Sequence, residues 1–90
     1  MSEEPTIRLR PGAVSWREAE GEVIALDLGT SDYLGVNATG AALWTRIAEG
    51  STEAELVGVL QAQFDVSADR AAADVAAFVG DLRTRGLLET

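Results

Sequence analysis

Hydrophobic and polar positions change period once along this chain, from two residues in the first half to three and four in the second. Val14, Trp16 and Glu18 alternate with Ser15, Arg17 and Ala19, which predicts a first strand. Glu20-Gly21 supplies a hairpin turn, Gly tolerating the positive φ such turns need. Val23 to Leu28 predicts a second strand with Ile24, Leu26 and Leu28 on one face. Gly29-Thr30-Ser31 is a second turn. Asp32 to Val36 predicts a third strand, with Leu34 and Val36 on one face and Tyr33 and Gly35 on the other. Three strands with short links make an antiparallel meander.

The second half predicts three helices. Asn37 or Thr39 caps the first, since each carries an oxygen able to accept from free backbone N–H groups. Its apolar stripe is Leu43, Trp44, Ile47 and Ala48, and Gly50 ends it. Thr52 and Glu55 have capping-box spacing for a second helix with the stripe Leu56, Val57, Leu60 and Phe64. Ser67 caps a third helix that runs to about Arg85, with Ala71, Val75, Phe78, Val79 and Leu82 on one side. Gly86 stops it, and Leu87-Leu88 folds back as a hydrophobic tail. Strands first and helices after predict an α+β fold with the helices packed on one sheet face.

Composition narrows the chemistry. Ninety residues predict one domain, 1–90, with residues 1–6 flexible. The chain has no histidine and no cysteine. That removes disulfides, zinc-thiolate sites, cysteine nucleophiles and every histidine-based triad. The acidic start Met-Ser-Glu-Glu-Pro is no secretory signal, and no apolar run is long enough to span a bilayer. A cytoplasmic protein is expected. The net charge is −8, and all seven basic residues are arginine. An acidic surface repels phosphate backbones and anionic lipid and favours basic partners. The third helix carries Asp69, Asp74 and Asp81 against Arg70, Arg83 and Arg85, with two of the arginines in its last turn where they complement the helix dipole. Neither nucleic acid nor membrane is therefore expected as a partner. No acid pair sits in a motif with a nucleophile, Gly35 to Gly40 lacks the lysine and spacing of a phosphate loop, and no calcium-loop pattern occurs. An enzyme is not expected, and no cofactor or metal is implied.

What remains is recognition of another chain. A three-stranded sheet has two edges, and an open edge offers N–H and C=O groups to an extended peptide. If the third strand lies at an edge beside the third helix, the two make a groove. The alternative is that Tyr33 and Leu34 are only a surface aromatic and a core residue, and the residues alone leave both readings open.

The order and spacing of several short pieces resemble the PqqD-like proteins, the precursor-peptide recognition elements of ribosomal peptide biosynthesis. The likeness spans about Ile7 to Glu89. It is carried by Leu26-Asp27, Tyr33, Asn37, Thr39-Gly40, Leu43-Trp44 and Glu49-Gly50, then by Phe64-Asp65-Val66, Asp74-Val75, Phe78, Leu82 and Arg85-Gly86-Leu87. The resemblance implies a winged helix-turn-helix-like domain of three antiparallel strands and three helices. It implies that a precursor's leader peptide adds as a strand to the third strand and packs on the third helix. It also implies delivery of the bound leader to a separate leader peptidase, with a cyclase as a further partner. The acidic, lysine-free chain has no room for an enzyme and looks most like the free-standing recognition subunit of lasso-peptide biosynthesis. A chaperone of the precursor in coenzyme PQQ biosynthesis, or a regulatory subunit that binds no leader, is the alternative.

Carried over, strand pairing would use the backbone of Ser31, Asp32, Tyr33, Leu34, Gly35 and Val36. On the third helix Val75, Phe78 and Val79 would be apolar contacts, and Asp69 and Asp74 partners for basic leader residues. A helical wheel puts Asp74, Phe78 and Asp81 on one flank of the buried stripe and Ala72, Ala76 and Val79 on the other, without deciding which flank faces the peptide. The family often has a second bulky residue near Tyr33, followed by Leu before Asn, where this chain has Leu34-Gly35-Val36.

Overall fold

The period-2 half of the chain folds as an antiparallel meander and the other half as three helices, and together they give the α+β fold. The computed structural model describes residues 5–89. Its elements are β1 (Val14–Ala19), β2 (Glu22–Asp27), β3 (Tyr33–Val36), α1 (Ala38–Glu49), α2 (Glu53–Phe64) and α3 (Ala68–Thr84). The strand order is β1-β2-β3, so β1 and β3 are both edges. Glu20 (φ 54) and Gly21 (φ 78) link β1 to β2 as a two-residue loop of left-handed residues, whose twist matches that of the strands. The β2–β3 link is held by the Asp27 carboxylate, which accepts from the N–H groups of Gly29 (2.9 Å) and Thr30 (3.3 Å). Those bonds allow a carboxylate at 6% exposure on the inner sheet face.

Val23, Ala25 and Asp27 of β2 point toward the helices, with Trp16 of β1 and Leu34 and Val36 of β3. The row Ile24, Leu26 and Leu28 faces away from them, so the more apolar face of β2 is the outer one. The inner positions are small because two tryptophans occupy the space above them. Trp16 meets Trp44 of α1 edge to face, ring centroids 6.1 Å apart.

Each helix starts where the sequence offers a cap. Asn37, rather than Thr39, caps α1, its Oδ1 accepting from Gly40 N–H at 3.0 Å. Thr52 and Glu55 form a complete capping box on α2, with Glu55 N–H to Thr52 Oγ1 at 3.2 Å and Thr52 N–H to Glu55 Oε1 at 2.9 Å. Ser67 Oγ accepts from Arg70 N–H at 3.2 Å at the head of α3. The buried stripes are Leu43, Trp44 and Ile47; Leu56 and Leu60; and Ala71, Val75, Val79 and Leu82. Ala48 lies beyond the edge of the α1 stripe and is exposed. Burying each of the larger side chains stabilises the fold by about 1.5–3 kcal/mol.

Leu87 and Leu88 return to the core, as the tail pattern predicts. They meet a partner that the pattern did not anticipate, an extended arm ahead of β1. Ile7 bridges Ser51, and Leu9 bridges Leu88. Arg10 N–H donates to Leu87 O at 2.7 Å and Glu89 N–H to Arg8 O at 2.9 Å. Of the start expected to be flexible, residues 1–4 lie outside the described residues, and Pro5 and Thr6 are exposed without regular structure.

Candidate peptide-binding groove

The backbone at the β3 edge alternates, and the alternation can be read from two hydrogen bonds. Asp27 N–H donates to Asp32 O at 2.8 Å, and Leu28 N–H to Ala13 O at 2.9 Å. In an antiparallel ladder every second residue faces the same neighbour. With Ala25 opposite Leu34 and Val23 opposite Val36, Leu34 and Val36 turn their N–H and C=O groups toward β2. Tyr33 and Gly35 turn theirs outward, so these two residues carry the free ladder groups. Ser31 and Asp32 are engaged with Asp27 instead, Ser31 N–H donating to Asp27 O at 2.7 Å.

Behind this edge stands α3, and two contacts fix its direction. The arm that carries Arg10 ties Leu87 to the start of β1, next to the Asp27–Asp32 end of the sheet. At the other end of β3, a Cβ on Gly40 would meet Val36 Cγ1 and Phe78 Cε1, the latter at 3.1 Å. So α3 runs antiparallel to β3, with Phe78 beside Val36 and Arg85 toward Tyr33. Gly40 is the pivot, because its missing side chain lets the first turn of α1 press against both β3 and α3. The main packing of α3 is against α2 rather than the sheet. An open groove of about 750 Å³ therefore remains between β3 and α3.

Leu34 and Val36 line one wall of the groove and Ala77, Phe78 and Leu82 the other, with Gly40, Leu43 and Trp44 between them. Trp44 is fully buried, and its Nε1–H has no hydrogen-bond partner among the described residues. Charge is confined to the α3 rim. Asp74 pairs with Arg70 at 3.4 Å, and Asp81 with Arg85 Nε at 3.2 Å. Among the described residues no group of three or more carboxylate, histidine or cysteine side chains is placed to hold a metal. Nor is any helix among them long and apolar enough to cross a membrane.

The structure brings together Tyr33, Leu34, Gly35, Val36, Asp74 and Phe78 of the sequence candidates. Val75 and Val79 are instead in the core, at 0% and 1% exposure, because the central stripe of α3 is spent on packing. Asp69 sits in the exposed first turn, away from the groove. The flank left open by the helical wheel is the one with Asp74, Phe78 and Asp81. The sequence candidates lacked the α1 contribution, Asn37, Thr39, Gly40, Leu43 and Trp44, and the lower rim of α3 at Ala77, Asp81, Leu82 and Arg85. A glycine in the first turn of a helix, a poor helix former directly after a strand, was the available signal for Gly40.

Known proteins share the fold that carries this groove. The family described as coenzyme PQQ synthesis protein D (PqqD) matches residues 22–88. A solved structure described as TbiB1 in complex with the TbiA(beta) leader peptide is 29% identical, with a TM-score of 0.83 over 91% of this chain and 94% of that one. A lasso peptide synthetase B1 complexed with the leader peptide is 27% identical, with a TM-score of 0.80 over 93% of this chain and 98% of that one. No curated protein matches the chain significantly.

Proposed function

The chain belongs to the coenzyme PQQ synthesis protein D (PqqD) family, and on that premise we propose that it binds the leader peptide of a ribosomally made precursor in lasso-peptide biosynthesis. The observation that carries this reading is the pairing of a free backbone edge at Tyr33 and Gly35 with an apolar groove directly behind it. An extended leader adds as a fourth strand. Its amides pair with those two residues, and every second side chain enters the groove between Leu34, Val36 and Phe78. Main-chain bonds give affinity, and the groove reads side chains. Likeness to two solved proteins that each hold a leader peptide supports the assignment. The chain works by binding rather than by catalysis, and hands the leader to a separate peptidase, with a cyclase as the later partner. The family description favours a coenzyme PQQ setting; the likeness to a lasso peptide synthetase B1 favours the lasso setting.

The strand-addition mechanism has a sharp signature. Titration with the TbiA(beta) leader and a panel of lasso leaders is expected to give a dissociation constant in the nanomolar to micromolar range, on the order of other strand-plus-anchor complexes. On binding, the amide protons of Tyr33 and Gly35 become protected from exchange, while those of Leu34 and Val36, already bonded to β2, change little. Binding without new protection at Tyr33 and Gly35 rejects strand addition. Absence of binding across the panel rejects the function.

A further inference from the structure

Gly35 is a glycine that the fold does not ask for. Its φ lies outside the left-handed region, and a Cβ there would meet nothing within 4 Å. Neither backbone freedom nor crowding accounts for it, and a glycine inside a strand weakens that strand. The remaining physical use of such a residue is to let something absent from the free protein come close to the backbone.

The surroundings say what kind of group that is. Gly35 is on the outer sheet face, opposite Ile24 in the register. Ile24 is 44% exposed, and Tyr33, the next residue on the same face of β3, is 75% exposed. Beside them the outer face has a shallow depression lined by Ser15, Trp16, Arg17, Ile24, Leu26 and Tyr33. Three large apolar side chains are exposed among the described residues, Ile24, Leu28 and Tyr33, and all are on this side. Gly35 is thus a bare strip of backbone between an uncovered isoleucine and the free edge.

A strand added at that edge must place one side chain on the outer face directly beside Gly35, because opposed residues in neighbouring strands share a face whichever way the strand runs. We infer that this position of the bound peptide takes a large apolar or aromatic side chain, which lies across Gly35 against Ile24 and the ring of Tyr33. Pairing of a large side chain with a strand glycine is a known stabilising device in sheets. It would give the peptide a second specificity position, on the opposite face of the sheet from the groove. The inference rests on leader binding by strand addition.

The test uses the full chain and a displayed library of extended peptides of about fifteen residues, a length suited to strand addition. The wild-type chain is expected to enrich Phe, Tyr, Leu or Ile at one position, offset by an odd number of residues from the groove-facing ones. Gly35→Val, which favours strand and adds its side chain on the outer face, is expected to enrich small residues there and to bind the wild-type-selected peptide about tenfold less tightly. Ile24→Ala, with thermal melting as the folding control, is expected to weaken the preference for size without abolishing binding. Peptides enriched with no size preference, or bound equally by Gly35→Val, overturn the inference and leave leader binding standing. A wild-type chain that enriches no peptide overturns leader binding, and the inference with it.

Discussion

Along β3 the open edge is Tyr33 and Gly35; along β1 the same register leaves Val14, Trp16 and Glu18 facing outward. Both edges offer free ladder groups, yet they are built differently behind the backbone. β1 fills its own inner side, since Trp16 reaches in and meets Trp44. β3 presents only Leu34 and Val36 inward and leaves space before α3. Hydrogen-bonding capacity is shared by the two edges, and room for side chains is not. A strand edge becomes a recognition site through what stands behind it, because ladder bonds alone contribute only about 0.5–1.5 kcal/mol each and carry no sequence information.

The most severe way to break the comparison is to put proline into each edge. Gly35→Pro removes an outward N–H and crowds the edge, and is expected to weaken leader binding by ~30- to 100-fold. Glu18→Pro removes the equivalent group from β1, where edge proline is tolerated, and is expected to leave affinity unchanged. Titration of both variants with circular dichroism as the folding control checks this, and equal losses would show that the edges are not distinct. Next in size is Gly40→Ala. The new methyl meets Val36 and Phe78, so overpacking is expected to cost about 1–3 kcal/mol and to narrow the groove, read as a lower melting temperature together with weaker binding. Third, Asp74→Asn is expected to reduce affinity for a leader with a basic residue at that rim by at most about 1 kcal/mol, an effect that fades with added salt. Asp69→Asn, outside the groove, is expected to do nothing in the same titration.

The smallest effect is remote from both edges. The Glu55 carboxyl is held below its ordinary value of 4.5, first by the hydrogen bond from Thr52 N–H and further by the Ser51 hydroxyl. Its folded value is depressed, so the stabilisation is complete above the ordinary carboxylate range and is lost as pH falls through the lowered value. Acid melts are expected to show a slight extra loss of stability below about pH 4.5 that Glu55→Gln removes.

The elements and their caps were legible because local chemistry sets them. Asn37, Thr52 and Ser67 each stand where a helix begins, and the β1 and β3 patterns match the residues that face inward. The facing of β2 was less so, since Ile24, Leu26 and Leu28 look like a core row by hydrophobicity. Trp16 and Trp44 take the space above the sheet, and only the packed structure shows that this leaves β2 small residues inside. In the groove, Tyr33 to Val36 and Phe78 followed from pattern and family likeness. Val75 and Val79 lie outside it, because both are taken up in the packed core of α3. The α1 floor was hidden for a related reason. It depends on one close approach at Gly40, which joins residues far apart in sequence.

The extended arm ahead of β1 has a consequence for connecting this domain to others. Leu9 bridges Leu88, and Glu89 N–H reaches Arg8 O, so the segments near the two ends of the described chain pair side by side. The arm and the tail thus form one joint that fastens both terminal segments to the same part of the core. Joining the ends and reopening the chain at the Glu20–Gly21 turn should give a permuted protein with β3, α1 and α3 still arranged around the groove.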